Sequence, residues 1–184
     1  MRFLLFPYVL KLVPLPYNRV GRLPEVAVFS VRVADGERGF LHKDTLAYLF
    51  FGVFGCSRDY LDAARLLIED SYGPIDPQGV SEVFEFPDAA SYKASMGTGL
   101  SRQFFVCEKR VEQDCLVAAK HRAIEMERSI RQQRPAEVER PVNIDPGIIN
   151  DCRIILASTK DYSHRIYRGE GIWEEITLMY RDGA

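Results

Sequence analysis

Six side chains toward the end of the 184-residue chain could do acid–base or anion chemistry together: Asp145, Lys160, Asp161, His164, Arg165 and Glu175. Lysine and arginine neutralise phosphate oxygens, arginine through a two-pronged fork. A histidine or carboxylate that titrates near neutrality can move a proton. The set reads as a site for a small anionic, phosphorylated or nucleotide-like ligand. Asp145, Asp161, His164 and Glu175 are its candidate acid–base residues, and Lys160, Arg165, Tyr167 and Thr177 its candidate ligand contacts. Each has a plainer alternative. Asp145 and Asp161 suit turns in which the side chain bonds its own backbone, His164 suits a half-buried strand, and an exposed Arg165–Glu175 pair is worth less than about 1 kcal/mol. Asp145, Asp161, His164 and Glu175 are metal-ligand types, but no pair has a spacing of the H-E-x-x-H kind, so no metal is assigned, and the residues do not identify a cofactor.

These residues need elements to hold them. Residues 46–54 are almost continuously apolar and short, as in a strand buried on both faces. Ser57 then suits a hydroxyl N-cap, and Tyr60, Leu61, Ala64, Leu67 and Ile68 recur at helical spacing up to the stop signal Tyr72-Gly73-Pro74. Strands are expected over 80–86 and 103–111, with a flexible Gly97-Thr98-Gly99 connection before the latter. Residues 114–132 form the strongest helix, with Leu116, Ala119, Ala123, Met126 and Ile130 on one stripe and Lys120, Arg122, Glu125 and Arg128 outside it. The polar, proline-bounded stretch 131–141 reads as an exposed crossover, Asp145-Pro146-Gly147 as a turn, and 153–157 as a fourth strand. Strand, helix, strand, strand, helix, strand is the ferredoxin-like split βαβ (βαββαβ) pattern of an α+β domain, here with a C-terminal β-hairpin extension.

The hairpin arms are residues 164–168 and 172–181 around Gly169-Glu170-Gly171. A three-residue loop opposes Arg165 to Glu175 and Tyr167 to Trp173, placing these with Thr177 on one face and His164, Ile166, Arg168, Ile172, Glu174 and Ile176 on the other.

Composition limits the partners. A formal charge of −2 gives no general nucleic-acid signal. No apolar run approaches the roughly 18 residues of a spanning helix, so no membrane partner is expected. Four widely spaced cysteines, with no C-x-x-C pair, suit reduced thiols in a cytoplasmic protein. Cys107 and Cys152 read as packing thiols and His121 as a solvated helix residue. Residues 1–44 read as an N-terminal extension, loosely attached or the product of a start placed too far upstream, and 45–184 as the single α+β domain. Pro7 and Lys11 interrupt the opening apolar run and argue against an export signal.

Several blocks taken together carry a resemblance: Val142-Asn143-Ile144-Asp145-Pro146-Gly147, Leu156-Ala157-Ser158-Thr159-Lys160-Asp161, His164-Arg165-Ile166-Tyr167 and Glu175-Ile176-Thr177-Leu178. With Tyr72-Gly73-Pro74-Ile75-Asp76 and the stretch from Met96 to Phe104, the chain resembles, over about residues 45–181, a bacterial family of uncharacterised proteins, domain-of-unknown-function family 4416. It departs from the family pattern at Ile148, where a tyrosine is usual, and at Ala90, Ser91 and Ser95. It also stops where members continue into a proline- and aromatic-rich tail, as a truncated chain would. The resemblance implies a fold and candidate positions without naming a reaction. A non-catalytic interaction or homo-oligomerisation module, using a sheet face or edge, is the competing expectation.

Overall fold

The computed structural model describes residues 2–4, 28–30, 46–85, 92–134 and 137–179. Most of the proposed 1–44 extension, the end of the expected second strand and the last residues of the hairpin lie outside them. Near the start, β1 (Arg2–Leu4) and β2 (Val28–Ser30) pair in parallel.

The chain then runs through β3 (Leu46–Gly55), α1 (Arg58–Tyr72), β4 (Ile75–Val80), β5 (Phe84–Glu85), α2 (Lys93–Met96) and β6 (Ser101–Glu112). A 3-10 turn leads into α3 (Leu116–Gln133), followed by β7 (Val142–Ile149), β8 (Arg153–Ser158), β9 (Ile166–Gly169) and β10 (Ile172–Met179). The product is a mixed α/β structure with an eight-stranded antiparallel sheet in the order β4-β6-β3-β7-β8-β10-β9, β5 adding to β6.

The central position of β3 follows from its composition. Ala47, Leu49, Phe51 and Val53 enter the main core, whereas Phe50 and Phe54 enter separate clusters on the opposite face. The main core also takes Leu61, Ala64 and Ile68 of α1 and the expected α3 stripe of Leu116, Ala119, Ala123, Met126 and Ile130. At roughly 1.5–3 kcal/mol for each fully buried large apolar side chain, this layer dominates the fold's stability. Helix α1 ends as read, at Gly73 with φ 87° and its N–H donated to Glu69 O. Its start differs: Ser57 occupies the cap position without a side-chain hydrogen bond, and its carbonyl accepts from Tyr60 N at 3.3 Å.

The largest correction concerns Asp145-Pro146-Gly147, which is not a turn. All three residues lie in β7, opposite Gly52, Phe51 and Phe50 of β3. Pro146 lacks an N–H, and Ile144, two residues away and of the same parity, turns its own N–H and C=O away from β3 toward α3 side chains. The missing donor therefore falls on the outer edge of β7, where pairing with β8 covers only Gly147–Ile149. Gly147 needs no positive φ. It is glycine because a Cβ would run into the Phe50 ring and stand 2.6 Å from Ile155 O. The fourth strand of the sequence reading, 153–157, is consequently a fifth core strand, β8, beyond β7.

Candidate functional site

The loop from β8 to β9 and the hairpin bring together four of the predicted residues. Arg165 Nε donates to Glu175 Oε2 at 2.7 Å, and Arg165 Nη1 donates to Ser158 Oγ at 2.7 Å and to Lys160 O at 2.8 Å. Lys160 N in turn donates to the same Ser158 hydroxyl at 3.1 Å. The guanidinium is thus fixed by a carboxylate, a hydroxyl and a carbonyl, while Nη2 makes no hydrogen bond among the described residues. Tyr162 covers it, with the guanidinium carbon 4.8 Å from the ring centroid. His164 Nε2 lies 2.9 Å from the same Glu175 Oε2, and its ring stacks on Tyr162 at 6.0 Å with 7° between planes. Lys160 extends its ammonium over the Tyr92 ring, 5.3 Å from the centroid.

The hairpin register explains this convergence. Tyr167 opposes Trp173, as expected, and the two rings pack with centroids 5.1 Å apart. The loop, however, is Glu170-Gly171 rather than three residues: Gly169 pairs with Ile172, and a register shift before Trp173 restores the expected opposition. Arg165 and Glu175, their side chains only 14% and 18% exposed, are better shielded than an ordinary surface pair. Strict alternation along the hairpin puts His164 on the other face. Strand alternation does not reach it, because β9 starts at Ile166 and a turn with Arg165 N donating to Tyr162 O precedes it. The imidazole therefore joins Glu175 and remains 63% exposed.

Asp145 belongs to a second polar network. Its Oδ1 accepts from Lys120 Nζ at 2.7 Å and its Oδ2 from Asn143 Nδ2 at 2.6 Å. Lys120 also donates to Ile144 O at 2.9 Å, while Glu127 Oε1 accepts from Ile144 N at 2.7 Å. Two side chains of α3 thereby satisfy the backbone that β8 leaves unpaired, acting as a substitute strand. Arg140 completes the network by donating to Glu127 at 3.1 Å and to Asn143 Oδ1. Burial pushes the Glu127 carboxyl up, although Arg140, Lys120 and the Ile144 N–H oppose this. Burial likewise lowers Arg102, against the pull of Asp145 and Tyr92.

Sequence reading missed Ser158 and Tyr162 beside Arg165 and the Glu127, Arg140 and Asn143 side chains of the second network. It also misplaced Lys120, set outside the apolar stripe when it is 2% exposed. A signal was present: Leu116, Lys120, Ala123, Glu127 and Ile130 recur at spacings of four and three, so both charges fall on a core-facing seam.

Among the described residues, Asp161 and Thr177 are exposed and join neither network, and Tyr167 Oη accepts from Gly171 N. Cys107 is buried as expected, whereas Cys152 is exposed. Asn150 Oδ1 accepts from both Cys152 N and Arg153 N, a tight turn that carries Cys152 outward. His121 faces the hairpin tip, with Nε2 3.5 Å from Glu170 Oε2.

Among the described residues no group of three or more histidine, cysteine, aspartate or glutamate side chains is placed to hold a metal ion. No helix there is long and apolar enough to cross a membrane. A match to the family described as "Domain of unknown function (DUF4416)" spans residues 45–184. The chain belongs to the DUF4416 family. No curated protein and no solved structure matches it. Both polar networks fall inside the DUF4416 match, and so do all eight residues singled out from the sequence.

Proposed function

We propose that the hairpin end of this DUF4416 protein binds a small phosphorylated or nucleotide-like anion, with Arg165 as its anchor. One observation carries the reading: a guanidinium held by Glu175, Ser158 and Lys160 O, stacked under Tyr162, with Nη2 unengaged among the described residues. Such a group loses little freedom on binding, and charge-assisted bonds to phosphate are the strong ones. Lys160 and His164 flank it, and the exposed Tyr162 ring offers a stacking surface for a base. Asp145 is outside the anion contacts in this reading.

The scaffold we infer is a ferredoxin-like split βαβ unit made of β4-β6-β3-β7 with α1 and α3, extended by β8, β10 and β9. The order β7-β3-β6-β4, with α1 after β3 and α3 after β6, supports it. Residues 45–184 are taken as the functional unit, in a cytoplasmic bacterial protein with reduced thiols.

A thermal-shift series with pyrophosphate, nucleoside triphosphates and sugar phosphates tests the binding. A ligand at one hundred times its Kd stabilises by about 2.7 kcal/mol. A saturable rise in Tm is expected for at least one compound, lost in Arg165→Ala. No shift with any of them at millimolar concentration would sink the proposal. It would favour a second reading in which β9, the last strand of the sheet, pairs with another chain. Ile166 and Tyr167, 66% and 58% exposed, support that alternative.

A further inference from the structure

The histidine beside this anion site has a geometry that binding alone does not require. Its Nε2 lies 2.9 Å from Glu175 Oε2, the oxygen that also accepts from Arg165 Nε. Glu175 is an acceptor, so the proton of a neutral imidazole resides on Nε2 and Nδ1 carries the lone pair. Nδ1 makes no hydrogen bond among the described residues, and the side chain is 63% exposed. The parallel Tyr162 ring limits how the imidazole can turn. A carboxylate behind one ring nitrogen thus leaves the other as an outward nucleophile, next to a fixed guanidinium. A passive surface ion pair uses the same Nε2 contact but gives Nδ1 no task.

We propose that His164 is a phosphoryl acceptor, its Nδ1 attacking a phosphorylated donor whose transferring group is held by Arg165. The inference rests on the anion-site reading. The step balances without a further reactant. The Nδ1 lone pair forms the N–P bond, the bond from phosphorus to the donor's leaving group breaks, and that group departs with the electron pair. The Nε2 proton stays in place, so the phosphoimidazolium gains a positive charge beside the Glu175 carboxylate. Donors whose leaving groups depart without needing a proton from the protein, such as acyl phosphates and phosphoramidate, fit best, because no general acid is assigned. Arg165 and His164 touch the transferring group, and Glu175 is a positioning residue.

The experiment incubates the full chain with phosphoramidate, follows it by intact mass spectrometry in neutral and alkaline solution, and locates the adduct by fragmentation. His121 serves as an internal reference: it is the other histidine among the described residues, with its side chain 44% exposed and its Nε2 buried near Glu170, so that its Nδ1 is the nitrogen compared. The expected result is an acid-labile phosphoryl group on His164, formed about tenfold faster than on His121, the effect of roughly 1.4 kcal/mol of transition-state stabilisation. His164→Gln abolishes it. Glu175→Gln brings the His164 rate and its pH profile down to those of His121 while the His121 rate is unchanged, which a general loss of folding would not produce. Equal labelling of the two histidines, or none, overturns the inference. A pyrophosphate-induced Tm shift that persists in either case leaves the anion site standing, whereas loss of both removes the two readings together.

Discussion

Lys120 keeps a charge where its helix meets the sheet, and the partners that make this tolerable come from a strand more than twenty residues later in the chain. With 3% of its side chain exposed, it donates to Ile144 O and to Asp145. Removing one member of a buried pair strands the other, which costs about 3–5 kcal/mol where both are enclosed. Asp145 is 34% exposed and keeps Asn143 as a donor, so water recovers part of that loss. Lys120→Met, which keeps an unbranched chain one atom shorter and removes the charge, is expected to lower stability by about 2–4 kcal/mol. Urea unfolding measures it. Adding Asp145→Asn should restore part of the loss by removing the stranded charge, and strictly additive losses would show that the two residues are not coupled.

At the scale of elements, β7 is the segment whose local composition argued for the wrong structure. Proline followed by glycine is turn chemistry, but in β7 each residue answers a contact made at long range. Pro146 sits where the ladder to β8 has already stopped, and Gly147 lies beneath Phe50. Gly147→Ala would push a methyl group into the Phe50 ring and to within 2.6 Å of a backbone oxygen that cannot rotate away. A cost of about 1–3 kcal/mol is expected, as for other overpacked sites. Calorimetry on Gly147→Ala and on Gly147→Ala with Phe50→Leu checks it, the smaller side chain recovering only the ring's share. The contrast with β3, α3 and the hairpin shows what periodicity conveys. The apolar run of β3, the stripe of α3 and the Tyr167–Trp173 pair were legible because spacing alone fixes which side chains share a face. The Arg165–Glu175 contact is the one this spacing anticipates, although Arg165 stands just before the start of β9. The turn that redirects His164 and the divergence of β8 from β7 depend on contacts that no local pattern carries. Of the six residues grouped from the sequence, Lys160, His164, Arg165 and Glu175 converge, His164 on the unexpected face, whereas Asp145 and Asp161 stand apart and Ser158 and Tyr162 carried no signal. The Lys120 network was hidden except for its interruption of a seam.

At the scale of the whole molecule, the core that holds these elements also encloses groups that ionise in alkali. Burial pushes the Cys107 thiol from 9.0 to about 12 and the Cys115 thiol from 9.0 to about 11. It raises Tyr72, which lies close enough to feel both, from 10.0 to about 12. Each is an acid whose folded value exceeds its unfolded value. Between those values the unfolded chain has released a proton that the folded chain retains, so stability is whole below the unfolded value and falls as pH rises toward the folded one. Cys107, 1% exposed, should contribute a decline that begins near pH 9 and approaches about 1.4 kcal/mol per pH unit before levelling near pH 12. Urea midpoints in reductant at pH 8, 9 and 10 are expected to fall progressively. In Cys107→Ala the fall should be shallower by that one group's share, even though the substitution lowers the midpoint at pH 8 through lost packing. Parallel curves through pH 10 would mean that the buried thiol is not the source of the slope, and would shift the cause to Cys115 and Tyr72.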